Sequence, residues 1–141
     1  MPLTTNVAFC AFPNKPSVIV YIEGTRNRNP ADPCLDFHAG TLKIAQMAGC
    51  PINVAATYGS FRALSKKSCL RKYPVYFSIL ETIPAEDFKK INTNDLAGQL
   101  RKKVDAKVDY FRGLDKKYIE SMKISDKKKA LEVKVDARVK S

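Results

Sequence analysis

The stretch "VIVYIEGTRNRN", Val18 to Asn29, decides how the rest of the sequence is interpreted. It begins inside "SVIVYI", a run of β-branched and apolar residues that lies between a proline and a glycine. Such a run is typical of a strand that is covered on both faces, as in a parallel sheet. Polar and flexible residues follow directly: Glu23, Gly24, Arg26 and Arg28. Because a guanidinium holds a phosphate through two parallel hydrogen bonds, this pattern predicts either an anion site where the strand ends or an ion pair between Glu23 and Arg26 at the mouth of the loop.

A helix and a second strand follow this stretch. The segment "FHAGTLKIAQMAGCP" has apolar residues at helical spacing from near Thr41, and Gly49 and Pro51 end it. "INVAATYG" then returns to the pattern of a strand. Together they predict a right-handed βαβ unit, with its two strands parallel or one strand apart. Sites in such sheets lie beyond the carboxyl ends of the strands, so residues 23–28 and 58–62 are expected at one edge.

The remaining sequence predicts a third strand, "PVYFSIL", and an amphipathic helix over residues 95–111 that Asn92 caps. Beyond this helix the period is lost, and residues 114–141 are predicted to be a basic, solvated and partly disordered tail. We therefore expect an α/β domain over residues 17–113, preceded by a segment, residues 1–16, without a clear match. The domain consists of the βαβ unit, a further strand and a carboxyl-terminal amphipathic helix.

Basic residues are concentrated in one part of the chain. The net charge is +11, and residues 37–73 contain six Lys or Arg and no acidic residue. This cluster is either a solvated loop or a patch that attracts a polyanion, such as an acidic membrane surface or a phosphorylated cofactor. Nucleic acid fits less well, because the aromatic residues occupy apolar strand positions and do not alternate with the basic ones. The candidate patch consists of Arg62, Lys66, Lys67, Arg71 and Lys72.

Cysteine and histidine usage argues against a metal site. The four cysteines are far apart and without a C-x-x-C pair, so we expect reduced, partly buried thiols. Cys34 and His38 have the spacing of half a zinc site, but His38 is the only histidine and structural zinc needs four ligands. The first residues do not have the pattern of a signal peptide. The sequence has no run of about 18 apolar residues, so no membrane-spanning helix is expected in this chain.

Three motifs in order resemble the second half of the phospholipid/glycerol acyltransferase family, the lysophosphatidate acyltransferases especially. In that family a strand runs into Phe-Pro-Glu-Gly-Thr-Arg-Ser-Arg, a Phe-Lys-x-Gly element opens a helix, and Val-Pro-Ile-Val-Pro-Val begins the next strand. The chain departs from this pattern at Tyr21–Ile22, at His38 and at Val54. The matching residues are Glu23, Gly24, Thr25, Arg26 and Arg28, then Phe37 and Gly40, then Pro51 and Ile52.

The resemblance implies an acyl acceptor site without its catalytic base. In the family an upstream His-x-x-x-x-Asp takes the proton from the acceptor hydroxyl; here Lys43 stands five positions after His38. The implied function is therefore the acceptor-binding part of a membrane-associated enzyme on the cytosolic face. That enzyme would transfer an acyl group from acyl-CoA or acyl carrier protein to lysophosphatidate, with no bound cofactor. Arg26 would hold the phosphate, Glu23 to Thr25 would shape the loop around it, and Pro51 and Ile52 would support the pocket. Arg28 is either a second phosphate clamp or a solvated residue.

Because this catalytic motif is missing, we expect no catalytic residue in this chain and no acyl transfer by the chain alone. The alternative is a catalytically silent basic module that binds lipid or nucleic acid.

Overall fold

A computed structural model of the chain describes residues 7–12, 15–24, 32–62 and 72–122. These residues form a mixed α/β fold. The strands are β1 (Val7–Phe12), β2 (Lys15–Tyr21), β3 (Ile52–Tyr58) and β4 (Tyr76–Ile83), and the helices are α1 (Ala39–Ala48), α2 (Ala85–Phe88) and α3 (Thr93–Glu120). A single 3-10 turn, Ser60–Arg62, follows β3.

The four strands form one sheet in the order β2-β1-β3-β4, and each neighbouring pair is antiparallel. Since β1 is antiparallel to both of its neighbours, β2 and β3 run in the same direction with one strand between them. This is one of the two arrangements that the βαβ pattern predicts. The sequence interpretation missed the strand in between, because β1 lies in the segment over residues 1–16 for which no element was predicted.

The two faces of the sheet have different surroundings. Tyr76 lies opposite Tyr58, and its ring stacks on Phe111 of α3, so this face is covered by helix. The other face contains Phe77 and Ile79, which pair with Thr57 and Ala55 and are half-exposed. By register, Ile19 and Tyr21 of β2 also lie on this second face, and both are half-exposed. The prediction that the β2 strand is covered on both faces is therefore wrong: β2 is an edge strand with a solvated side.

The hydrophobic core lies between the sheet and the helices α1 and α3. The buried face of α3 follows the predicted period, and Leu100 and Val104 are completely buried. Burying each such side chain contributes roughly 1.5–3 kcal/mol. On the sheet side the core is formed by Ile22, Ile52, Val54, Ala56 and Tyr58, and on the helix side it includes Phe37, Leu42, Leu96, Leu100, Val104, Val108 and Phe111.

Both long helices begin and end for local reasons. Gly49 follows α1 in the left-handed conformation (φ 63°), and its N–H group donates to the carbonyls of Ala45 and Gln46. A side chain with a Cβ is strained in this conformation, so the glycine terminates α1 as predicted. Asn92 caps α3, because its side-chain oxygen accepts from the backbone N–H of Asn94 at 2.9 Å.

Helix α3 is longer than its sequence pattern suggests. It is predicted to end near Phe111, with a solvated tail from residue 114, but it continues to Glu120. The buried face continues beyond Phe111 at Asp115 and Ile119, each four residues after the previous buried position. The charged residue at a buried position interrupts the apolar period, and this explains the error. Residues 123–141 lie outside the described residues.

The cysteines differ from each other. Cys34 is a buried cysteine, as expected. Cys50, in contrast, is disulfide-bonded, so the prediction of a reduced thiol is wrong at this position. Its partner is not among the side chains that the structure describes.

Candidate functional site

The carboxyl end of β2 turns sharply at Glu23 and Gly24. The N–H group of Gly24 donates to the carbonyl of Tyr21 at 3.1 Å, and Gly24 has φ 63°. The Glu23 side chain is only 1% exposed, so the carboxylate lies inside the fold and not in the solvent. A tight turn with a left-handed glycine therefore follows a buried acidic residue at the end of β2.

Gly24 lies against the imidazole ring of His38. A Cβ atom at position 24 would be 2.6 Å from Cδ2 and 3.0 Å from Nε2 of His38, so only glycine fits while the ring stays in place. The backbone N–H of His38 also donates to the carbonyl of Ile22 at 3.0 Å. The first two motif segments, which are separate in sequence, are thus in direct contact through backbone and side chain.

The other predicted acceptor-site residues do not all join this contact. Thr25, Arg26 and Arg28 lie outside the described residues. The register places Ile52 opposite Cys10, and Cys10 opposite Val18, three residues before the end of β2. Pro51 and Ile52, at the start of β3, are therefore near the level of the middle of β2 and not at the turn around Gly24, and Ile52 is a core residue.

A second cluster occupies the carboxyl end of β3, at the same edge of the sheet as the β2 turn. Arg62 donates from Nη1 and Nη2 to the two carboxylate oxygens of Asp115, both at 2.6 Å. The two side chains are 5% and 4% exposed, so this is a buried ion pair. The guanidinium carbon of Arg62 also lies 4.7 Å from the centre of the Phe61 ring.

A cavity of about 440 Å³ opens beside this ion pair. Its walls come from the end of β3 and the last turns of α3, and charges of both signs line it. The lining residues are Tyr58, Arg62, Arg112, Asp115, Lys116, Ile119 and Glu120.

The tyrosines of this cluster are held in their neutral form. Burial raises the pKa of Tyr58, and the Asp115 carboxylate raises it further. The guanidinium groups of Arg62 and Arg112 act in the opposite direction, and Arg112 does so also through a hydrogen bond with the Tyr58 side chain. Burial is likewise the largest cause of the raised pKa of Tyr76, followed by Asp115. Tyr58 is therefore a neutral hydroxyl near physiological pH.

Arg62 does not belong to the predicted anion patch. Its guanidinium is buried and engaged by Asp115, so it does not face solvent where a lipid headgroup or a donor phosphate would approach. Lys72 is exposed, in agreement with a patch residue. Lys66, Lys67 and Arg71 lie outside the described residues.

Helix α3 also carries site residues that the sequence interpretation missed. Arg112 donates to the backbone carbonyl of Asp32 and lies 6.0 Å from the centre of the Tyr58 ring, so it links the second cluster to the segment that precedes α1. Asp115 pairs directly with Arg62 beside the cavity. One signal was available in the sequence: Asp115 stands four positions after Phe111, where the apolar face of the helix continues.

Within the described part of the chain, no three or more His, Cys, Asp or Glu side chains are grouped so that they could hold a metal ion. None of the described helices is long and apolar enough to cross a membrane. No protein-family model, no curated protein and no solved structure matches the chain.

Proposed function

We propose that this chain is the acyl-acceptor-binding part of a glycerolipid acyltransferase. It holds the phosphate of lysophosphatidate at the loop that follows β2, on the fork of Arg26. The turn at Glu23 and Gly24 shapes the base of this site, and His38 borders it. The domain is then a partial acyltransferase-like α/β domain that works at the cytosolic face of an acidic membrane.

The contact between Gly24 and His38 carries this proposal. The motif that ends β2 and the motif that opens α1 are separate in sequence but meet in space at this contact. The left-handed glycine leaves room for the imidazole ring, so a ring nitrogen lies beside the backbone turn. A backbone turn beside a ring nitrogen, with an arginine two positions further along the chain, is chemically suited to a phosphate monoester.

The reaction itself needs a base that this chain does not supply. The hydroxyl oxygen of the acceptor attacks the carbonyl carbon of the donor thioester, the hydroxyl proton passes to a base, and the thiol of acyl-CoA or acyl carrier protein leaves. His38 is the only histidine, and it belongs to the acceptor side of the site. Losing a positioned general base typically costs 10² to 10⁴ in rate, so the chain alone binds the acceptor without turning it over.

A binding experiment tests the acceptor site. Isothermal titration of the full chain with glycerol 3-phosphate and with a short-chain lysophosphatidate should show binding to both. Arg26→Ala should weaken it by roughly ten- to a hundredfold, because a charge-assisted hydrogen bond contributes about 1.5–3 kcal/mol. Arg26→Lys should lie in between, since an ammonium group lacks the fork. Lys102→Ala, an exposed change on α3, is the matched control and should bind like the wild type.

Two results would overturn the proposal. The first is a wild-type chain that binds neither phosphate compound. The second is turnover of lysophosphatidate that disappears in Arg26→Ala but persists in His38→Ala, which would show that the chemistry needs no upstream base.

The basic residues that follow Arg62 in the sequence support contact with an acidic membrane surface. With Arg62 excluded by its ion pair, the patch consists of Lys66, Lys67, Arg71 and Lys72. Replacing all four by Ser should weaken cosedimentation with acidic liposomes, and the wild-type binding itself should fall steeply as salt is added. Binding that does not change with salt would contradict this part of the proposal. A filter-binding titration against single- and double-stranded nucleic acid distinguishes the alternative, a basic nucleic-acid-binding module.

A further inference from the structure

Three charged residues form one row along α3. Arg101, Asp105 and Arg112 are four and seven positions apart, which places them on the same side of the helix. We call them the positioning row. All three contact the segment over residues 32–36, which lies between the turn after β2 and the start of α1.

The positioning row holds the backbone of this segment and not only its side chains. The Asp105 carboxylate accepts from the N–H group of Cys34 at 2.9 Å. Arg101 donates to the carbonyl of Cys34 from Nη2 at 2.9 Å and from Nε at 3.1 Å. Cys34 therefore has both of its backbone polar groups fixed by α3, which sets the position and orientation of the chain at this residue.

The same row holds the segment at two further points. Arg101 donates from Nη1 to the carboxylate of Asp36, and Arg112 donates to the backbone carbonyl of Asp32. Arg112 is in turn held by the carboxylate of Asp109, one turn earlier on the helix. The segment is thus attached to α3 at both ends and in the middle.

This attachment reaches the candidate anion site through a very short connection. His38 follows Asp36 by two residues, and the residue between them, Phe37, is buried in the core. His38 then bonds to the carbonyl of Ile22 and packs its ring on Gly24. The backbone of His38 is therefore held between the buried Phe37 and the carbonyl of Ile22, which sets where its ring starts.

We infer that Arg101, Asp105 and Arg112 are positioning residues of the anion site: they hold residues 32–36 on α3 so that His38 lies over Gly24. The consequence for ligand binding rests on the proposed function. Since a misplacement of about 1 Å can cost on the order of a hundredfold, removing one of these contacts should weaken phosphate binding by about tenfold or more. The contact between His38 and Gly24 should be lost at the same time.

The test uses the isotope-labelled full chain and two variants of one residue. Asp105→Ala removes the acceptor for the Cys34 N–H group, whereas Asp105→Asn keeps an acceptor oxygen of similar shape. The first readout is the nuclear Overhauser effect between Hδ2 of His38 and the α protons of Gly24. The second is the affinity for glycerol 3-phosphate, followed by the amide shift of Gly24. Lys102→Ala is the control.

We expect Asp105→Ala to lose most of the Overhauser effect and about tenfold in affinity, Asp105→Asn to retain both largely, and the control to match the wild type. An unchanged Overhauser effect in Asp105→Ala would overturn the inference, and so would an equal loss in Asp105→Asn. If Asp105→Ala does not fold, Arg101→Met gives the same test at a residue whose side chain is 38% exposed.

The two readouts separate this inference from the proposed function. A wild-type chain that shows no binding, while the Overhauser effect still depends on Asp105, would refute the acceptor site and leave the positioning row standing. Binding that weakens in the Asp105→Ala variant without any change of the Overhauser effect would refute the positioning row alone.

Discussion

The buried pair of Arg62 and Asp115 should be the most sensitive electrostatic contact in the described part of the chain. Asp115→Ala removes the carboxylate that accepts two hydrogen bonds from the Arg62 guanidinium. The arginine cannot lose its proton at any relevant pH, so a full positive charge then remains in a site where its side chain is 5% exposed. The cation either stays buried at a high cost or forces the last turns of α3 away from β3.

The expected loss follows from this burial. Removing one partner of a buried ion pair costs about 3–5 kcal/mol, because the remaining charge is not compensated. This is a large part of a typical total stability of about 5–15 kcal/mol. For a chain of this size it corresponds to a fall in Tm on the order of 10 °C. Replacing both residues by apolar ones, Arg62→Met with Asp115→Leu, should be nearly neutral or stabilising, since no charge is then left buried.

Urea unfolding of the wild type, Arg62→Met, Asp115→Leu and the double variant gives the complete cycle, and Asp115→Ala is measured beside them. Helix content followed by circular dichroism reports on α3 directly, and equal m-values would show that the unfolded states are comparable. An Asp115→Ala variant that loses less than about 1 kcal/mol would refute the reasoning, because this is the cost of breaking an exposed pair. A double variant as unstable as the single one would show that packing, and not charge, decides stability at this position.

Three smaller perturbations have definite expected outcomes. Gly24→Ala should lower the stability by about 1–2 kcal/mol, since φ is positive there, and should shift the imidazole resonances of His38 in the NMR spectrum. Asn92→Ala should cost roughly 1 kcal/mol in thermal unfolding through loss of the bond to the Asn94 N–H group. The raised pKa of Tyr58 leaves stability unaffected below its unfolded value of 10.0 and lowers it as pH rises further, because the unfolded chain ionises first. Tyr58→Phe should therefore reduce the loss of stability between about pH 10 and 11 in urea titrations, and an unchanged slope would contradict this cause.

Much of the fold is predictable because local patterns determine it. The period of α3 from Leu96 to Phe111 and its cap at Asn92 are confirmed, and so is the end of α1 at Gly49. The shared direction of the strands on either side of α1 also agrees with the βαβ pattern. In each case neighbouring residues in the sequence supply the physical reason.

The errors occur where distant parts of the chain decide the structure. Because β1 pairs with both β2 and β3, an antiparallel strand lies inside the βαβ unit. No local sequence pattern predicts this arrangement. From the sequence, Asp115 is predicted to lie at the start of a solvated tail. In the structure it is buried and forms an ion pair with Arg62, which is distant in sequence. The same ion pair removes Arg62 from the basic patch. The sequence alone does not show which acidic residue a basic side chain pairs with, so this could not be predicted.

The candidate site shows the same division. The sequence singles out Gly24 as a candidate site residue and Phe37 and Gly40 as part of a second motif, and the structure shows that Gly24 contacts His38 of that second segment. It does not identify the side chains of α3 that hold the intervening segment, such as Asp105 and Arg112. Their role depends on where a long helix crosses a loop, and this is a property of the packed domain.

The face of the sheet opposite α1 and α3 governs how the chain behaves in concentrated solution. Tyr21, Phe77 and Ile79 are half-exposed there and form an apolar surface that favours association. The net charge of +11 has the opposite effect, because copies of the chain repel one another. The repulsion acts over about 10 Å at 0.1 M salt and about 3 Å at 1 M. Salt therefore removes the repulsion and leaves the apolar attraction in place. We therefore expect copies of the chain to associate more readily through this face as the ionic strength of the buffer rises.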